Sequence, residues 1–507
     1  MPMLPMLAFL STATLFAGSG ELTFDVANVS RKAGYANAGV GIEPAPGGDH
    51  YEIWRNGDAL GFTKLYVLRA GAGFDERWRT ELEPTGSHAY FGRVTASATD
   101  ANGDLVFVTV SANPNQSWRE VQLHKVHGDG DLAYTKKLWS SYDEGLMTQM
   151  IAAPNGDVVV GGRAIAGTLL RRFSSTGDIV FDEDLGRADR LQTMAVDATG
   201  RTYLMLENSD VPSLRALDSA GQTLWGRNFS LGDAYDPRFV DMTVNASGKV
   251  VVTGQLQAQG QAGRISVWQY PPDGSAPHYH SIATKSSIRH SAGYRVAVGH
   301  GPSDVVYVAW TNEIDQSAWV AKVKPQPPKT TGPRVGKRMG AKGRVTVSSK
   351  RATASATPVE PEPWRESLTI GRLRGLTVLS GGRVVVFGGG DEQFNGREKV
   401  VEARALTGAG RLVGGELVPS DPHETFPYVH LHDFFGRGNE VYAIGRAWGS
   451  THNGATRVRY TFSKAGGPKP AASATTGSRP AARPSTGKAT RPVKSRRASS
   501  RRAASAR

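Results

Sequence analysis

Two His-x-His pairs are the residues in this chain whose types and spacing first suggest chemistry: His278 with His280, and His430 with His432. Residues two apart on a β-strand share a side, so either pair would offer two imidazoles to one metal ion. The second pair sits in "VHLHDF", with Asp433 adjacent and His423 nearby. A metal centre needs a third and a fourth ligand, and no spacing in the chain supplies them, so ordinary polar strand residues are the competing reading. The acidic turns "DANGD" (100–104) and "FDEDLG" (181–186) are candidates for calcium, although the first lacks the glutamate that ends an EF-hand loop. Asx and glycine turn chemistry accounts for the same residues without an ion.

No catalytic residue and no organic cofactor site is assigned. The chain has 0 Cys, which removes disulfides, thiolate nucleophiles, iron–sulfur clusters and Cys-ligated zinc. "LDSAGQTLW" places Asp218 three residues before Gly221, one more than a sialidase-type Asp box has. Glycosidase chemistry needs two placed carboxylates, and the sequence offers only scattered acids.

Charge points elsewhere. The formal net charge is +14, but ten Lys and Arg lie between Lys322 and Arg351 and twelve between Lys464 and Arg507, with no acid in either stretch. Setting those 22 aside from 60 leaves 38 basic against 46 acidic residues, a net of −8 for the rest. The tail from 466 to 507 carries dense like charge and almost no large apolar residue, so it reads as disordered. Arg491, Lys494, Arg496, Arg497, Arg501 and Arg502 are its candidate polyanion contacts: phosphates or carboxylates of nucleic acid, lipid headgroups or cell-wall polymers. No aromatics are interleaved for base stacking, which argues against sequence readout.

Whatever acts here must be positioned by a repeat. "APGGDHYEIW" (45–54), "DANGDLVFV" (100–108), "APNGDVVVGG" (153–162), "DATGRTYLM" (197–205) and "NASGKVVVTG" (245–254) share a turn followed by an apolar run. Looser copies follow in "GPSDVVYVAW" (301–310), "LSGGRVVVFGG" (379–389) and "GRGNEVYAIG" (436–445). Between copies comes a second strand–turn–strand unit such as "RRFSSTGDIVFDEDL" or "ALDSAGQTLWGRNF". Each unit is therefore a four-stranded antiparallel blade. A lone blade cannot bury both faces, whereas blades packed around an axis bury them against neighbours and protect their edges.

The expected fold is an all-β propeller of eight blades, or seven if one loose copy is not a blade, spanning 20–465. Two-residue hairpins with Asn-Gly, such as Asn155-Gly156, are expected at the repeated turns. "ELTFDVANV" (21–29) is predicted to supply the missing outer strand of the last unit and close the ring. A basic insertion at 325–363 interrupts the sixth unit, and "WRESLTIG" (364–371) reads as its delayed fourth strand.

The motifs "APNGDVVVGG" and "RRFSSTGDIVFDEDLG" resemble the bacterial extracellular β-propeller repeat families, whose hairpin is followed by an arm of the type R-F/Y-x-x-x-G. "ALDSAGQTLW" is similar to the quinoprotein-type repeat, in which a Trp on the outer strand docks between blades; Trp225, Trp139 and Trp78 are candidates for that place. The resemblance covers about residues 40–460 and implies fold alone. The quinoprotein dehydrogenases often carry a vicinal disulfide, which this chain cannot form.

The opening "MPMLPMLAFLSTATLFAGSG" has an apolar run of signal-peptide length ending in small residues, without a basic residue before it. Residues 1–19 therefore read as a signal peptide, with a buried N-terminal strand as the alternative and no transmembrane segment later in the chain. The resulting functional expectation is an exported, monomeric, non-catalytic propeller binding a protein or glycan, with its basic tail on an anionic polymer. The alternatives are an intracellular scaffold whose tail binds nucleic acid, and a propeller hydrolase or lyase.

Overall fold

A computed structural model describes residues 10–15, 22–28, 38–58, 61–83, 90–112, 118–141, 148–187, 189–207, 212–229, 234–258, 264–283, 294–300, 305–312, 318–323, 364–368, 372–379, 382–389, 403–406, 412–413, 428–448 and 453–462. The chain divides into two units, Met1–Gly466 and Gly467–Arg507. The insertion at 325–363 and the whole second unit, with its six candidate polyanion contacts, lie outside the described residues.

The first unit is a ring of eight antiparallel blades. Blade 3 shows the pattern: Gln149–Ala152 innermost, then Val158–Arg163, Thr168–Phe173 and Ile179–Gly186 outermost. The other innermost strands are Ala38–Pro44, Tyr90–Thr99, Arg190–Val196, Ala234–Val244, Tyr294–His300, Arg372–Val378 and Tyr428–Arg437. Each touches the next around the axis, and the last touches the first. The core lies between blades, which is why second strands read as continuous apolar runs: Val158, Val159 and Val160 are all fully buried. A single bridge, Phe62 to Phe91, joins blades 1 and 2 into one sheet.

The turns depart from expectation by one residue. The Ala153 N–H donates to the Asp157 carbonyl (2.8 Å) and the Gly156 N–H to the Ala153 carbonyl (3.0 Å). The loop is thus Pro154–Gly156, a type I turn whose wrong twist is corrected by Gly156 at φ 86°, instead of a two-residue hairpin. The same pair of bonds closes Asp100–Asp104, Asp197–Arg201, Asn245–Lys249 and Leu379–Arg383.

Ring closure follows the sequence. Leu22–Asn28 pairs antiparallel with Asn453–Phe462 as the outer strand of blade 8, with Asp25 opposite Arg459. Leu10–Leu15, inside the segment read as a signal peptide, pairs in turn with Leu22–Asn28 as a fifth strand. Trp364–Leu368 pairs with Ala318–Val323 and completes blade 6. Among the described residues no helix is long and apolar enough to cross a membrane.

Candidate functional site

Antiparallel register fixes which repeat positions meet at each blade–blade seam. On third strands, one register position near the strand end carries a cation in five blades: Arg69, Lys125, Arg172, Lys322 and Arg459 stand opposite Tyr51, Val106, Val159, Tyr307 and Tyr442. Arg172, fully buried, sends Nε to Asp157 (2.8 Å) in its own blade's first turn and Nη1 to the Gly200 carbonyl (2.8 Å) in blade 4. Lys125 Nζ does the same with Asp100 (2.7 Å) and the Ser175 carbonyl (2.9 Å), and Arg69 with Asp49 (2.9 Å) and the Gly128 carbonyl (3.0 Å). The repeated basic residue of the arm motif is therefore a clasp between blades.

Directly across from that column, on outer strands, stand Trp78, Tyr134, Phe181 and Trp225. Each ring lies over a glycine in the next blade's outer turn. A Cβ on Gly221 would stand 2.8 Å from Phe181, and one on Gly274 would stand 2.5 Å from Trp225, so only glycine admits the aromatic. The indole N–H of Trp225 donates to the Pro272 carbonyl at 3.0 Å. Trp139 does not hold this place: it sits at the far end of its strand, against Gly162 and Thr148 of blade 3. In blade 5 the same position, opposite Gln269, is His278, which thereby stands in the aromatic column on an outermost strand. His280 follows opposite Val267, and both are half-buried.

His430 and His432 lie on the innermost strand of blade 8. The register, however, shifts between Leu431 and Asp433, making His432 the extra residue of a β-bulge. The two His pairs belong to different blades, and among the described residues no three His, Asp or Glu side chains converge on a metal-sized point. The acidic turns are occupied by turn chemistry: Asp100 Oδ1 accepts the N–H groups of Asn102 (2.9 Å) and Asp104 (3.0 Å), and Asp182 pairs with Arg171 (2.9 Å).

Bulges of this kind recur on innermost strands, at Val40, Thr95, Gln192, Val240, Arg374 and His432. After two of them comes an aspartate that reaches the neighbouring blade. Asp241 Oδ2 accepts the Val298 N–H (2.9 Å) of blade 6, and Asp433 Oδ2 accepts the Ile42 N–H (2.9 Å) of blade 1. Burial pushes Asp241 up to about 6, against the pull of those N–H groups, and pushes Asp433 the same way.

Asp433 has a companion that the sequence did not single out. Glu43, on the innermost strand of blade 1, is held far above the usual carboxylate range by burial and then by the charge of Asp433, while the Ser97 hydroxyl of blade 2 donates to it at 2.7 Å and opposes the shift. Two carboxyls in one low-dielectric site cannot both ionise easily and share a proton near neutrality, the arrangement general acid–base chemistry uses. The outer part of the closing seam is ionic. Glu52, fully buried in blade 1, accepts from His50 Nε2 (2.8 Å) and Trp54 Nε1 (2.8 Å) and pairs with Arg457 Nε (2.7 Å) of blade 8. Burial pushes the Glu52 carboxyl up, but Arg457 and these donors outweigh it and hold it below 4.5. The Arg457 guanidinium also lies 4.8 Å from the Trp54 ring centre and donates to the Phe74 carbonyl (3.0 Å).

No family model and no curated protein matches this chain. Solved structures share the propeller ring at low identity. A catalytically inactive virginiamycin B lyase from Staphylococcus aureus with quinupristin aligns at 9% identity and TM-score 0.40, over 86% of this chain and 99% of its own. A Lactobacillus plantarum protein aligns at 12% and TM-score 0.40, over 75% and 95%. A Bacteroides caccae protein of unknown function aligns at 10% and TM-score 0.31, over 75% and 93%. The likeness is one of fold.

Proposed function

We propose that this chain is an exported, non-catalytic binding propeller that meets a protein or glycan on its loop-bearing face and holds an anionic polymer with its basic segments. The carrying observation is a division of labour between the two ends of the blades. Strand order brings the first-to-second and third-to-fourth connections to one end. There the acids, cations and glycines of the repeat are consumed in turns and blade-to-blade clasps. The basic insertion at 325–363 lies in a third-to-fourth connection of the first end; the other end receives the blade-to-blade connections, which are long and do not repeat, as at 284–293 and 414–427. A rigid ring presenting variable connections is the usual design of a recognition scaffold.

The test compares the full chain with a chain ending at residue 465. Salt-sensitive retention on heparin that disappears on truncation, with unchanged melting, supports the tail assignment; retention by the truncated chain overturns it. Mass spectrometry of the mature N-terminus separates export, with cleavage near residue 20, from an intracellular scaffold with an intact start.

One observation favours a second reading, a hydrolase or lyase on the propeller: the carboxyl pair Glu43 and Asp433 on the inner ring, beside Ser97. Its test is Glu43→Gln in any assay that detects turnover, where loss of activity without loss of folding would establish it.

A further inference from the structure

Blades 3 and 4 use the same register on their outer walls but differ at one cross-strand pair. In blade 3, Arg171 faces Asp182 across the two outer strands and the pair closes at 2.9 Å. In blade 4 the corresponding arginine, Arg215, faces Gly226. The carboxylate that neutralises the guanidinium in one blade is missing from the other, and a cavity of about 410 Å³ lies in its place. It is lined by Ser213, Leu214, Arg215, Gly226, Arg227 and Asn228. Arg215 retains only a longer contact, 3.5 Å, to Glu183 of blade 3. Arg227, next to Gly226 on the outer strand, points to the opposite face of the blade, where its Nε donates to the Gly274 carbonyl (2.7 Å) of blade 5.

We propose that this cavity binds the carboxylate of an acidic glycan, a uronate-type sugar, with Arg215 taking the carboxylate and Ser213 and Asn228, register partners on the same face, the neighbouring hydroxyls. The proposal rests on the reading of the propeller as a glycan-binding module and places one subsite on its outer wall. Blade 3 supplies the template, because an aspartate carboxylate already satisfies the same arginine position there. A glycan fits better than an acidic peptide strand. The outer strand Thr223–Asn228 carries an extra residue at Leu224, where the register shifts, so its free edge is too short and too twisted to add a strand. The lining is polar except for one leucine, which suits a hydroxylated ligand.

The experiment titrates the full chain with trigalacturonate, its neutral galactose counterpart and triglutamate. Short probes keep the basic tail's polymer electrostatics out of the measurement. The parent is expected to bind trigalacturonate and ignore the neutral trisaccharide. Arg215→Ala should weaken binding about tenfold or more, the loss of one charge-assisted pair. Gly226→Asp should do the same while melting at or above the parent temperature, since nothing lies within 4 Å of a Cβ there and the new carboxylate recreates the blade 3 pair. Undiminished binding by Gly226→Asp overturns the site. Equal binding of triglutamate overturns the glycan assignment. No binding of trigalacturonate by the parent overturns the subsite alone, because the loop-face reading is tested separately by neutral glycan and protein ligands.

Discussion

The seam between blades 4 and 5 and the seam between blades 8 and 1 solve one problem by different means. At the first, chain continuity already sets the register, and an aromatic ring lying over a glycine fills the gap: Trp225 over Gly274, with one indole hydrogen bond. At the second, only the outer strand of blade 8, Leu22–Asn28, runs on along the chain into blade 1; its three inner strands meet blade 1 through contacts alone, and directional contacts dominate. Glu52 meets Arg457, Asp433 takes the Ile42 N–H, Arg459 donates to the Ala72 carbonyl, and Arg437 holds the carbonyls of Asp49 and Gly48. The register pairs that occupy the aromatic column at an interior seam are here Asp25 and Arg459. Packing is non-directional and tolerates sliding, whereas a buried ion pair backed by directional hydrogen bonds favours one alignment. The comparison teaches that the three inner strands of blade 8, which have no chain connection into blade 1, are aligned on it electrostatically.

The largest effect that would break this contrast is removal of residues 20–30. Without Leu22–Asn28 the Asn453–Phe462 strand loses its partner and blade 8 its outer layer, so thermal unfolding should move far down or lose cooperativity. A deletion that melts like the parent would refute closure by this strand.

Next comes Arg457→Met, which leaves the Glu52 carboxylate buried and uncompensated and should cost about 3–5 kcal/mol in chemical denaturation. The double variant with Glu52→Leu should recover most of that loss. Because the folded carboxyl titrates below 4.5, the parent's advantage is full above that value and is lost as pH falls through the folded pKa. A penalty independent of pH would show that Arg457 acts by packing alone.

Trp225→Ala at the interior seam should cost about 3 kcal/mol with no such pH dependence, since it removes apolar contact and one neutral hydrogen bond. An effect of this variant that varied steeply with pH would erase the distinction between the seams.

The smallest expected effect has the opposite sign. Glu43 titrates above its unfolded value, so the folded state binds more protons between 4.5 and about 8 and stability falls as pH rises through that window. Glu43→Gln removes the slope, and the variant should gain steadily on the parent as pH rises from 5 to 8. A parallel pair of stability–pH curves would show that Glu43 is not held protonated.

Much of this was legible in the sequence because the signals are local. Turn residues followed by β-branched runs gave the blade count, and strand counting alone assigned residues 21–29 to closure. The turns were read one residue short, since Asn155-Gly156 looks like a two-residue hairpin until the Ala153 to Asp157 bond is seen. Trp139 docks between blades 2 and 3 as expected, but at the opposite end of its strand from Trp225, a difference that only the register reveals. The inner carboxyl pair was not legible at all. Asp433 meets blade 1 across 391 positions of sequence, and Glu43 looks like any strand acid until the ring brings it to Asp433. The bulge at His432 is likewise announced by no local signal.

The chain contains 0 Cys, which permits a direct test of closure. Thr23 and Thr461 are register partners across the closing strands, and facing residues in an antiparallel pair stand within disulfide reach. The double variant Thr23→Cys with Thr461→Cys, oxidised in its native state, should form one intramolecular cross-link, seen as faster migration on non-reducing gels and as a joined peptide pair by mass spectrometry. Two thiols that stay free in the folded protein, or that link only between molecules, would contradict the ring described here.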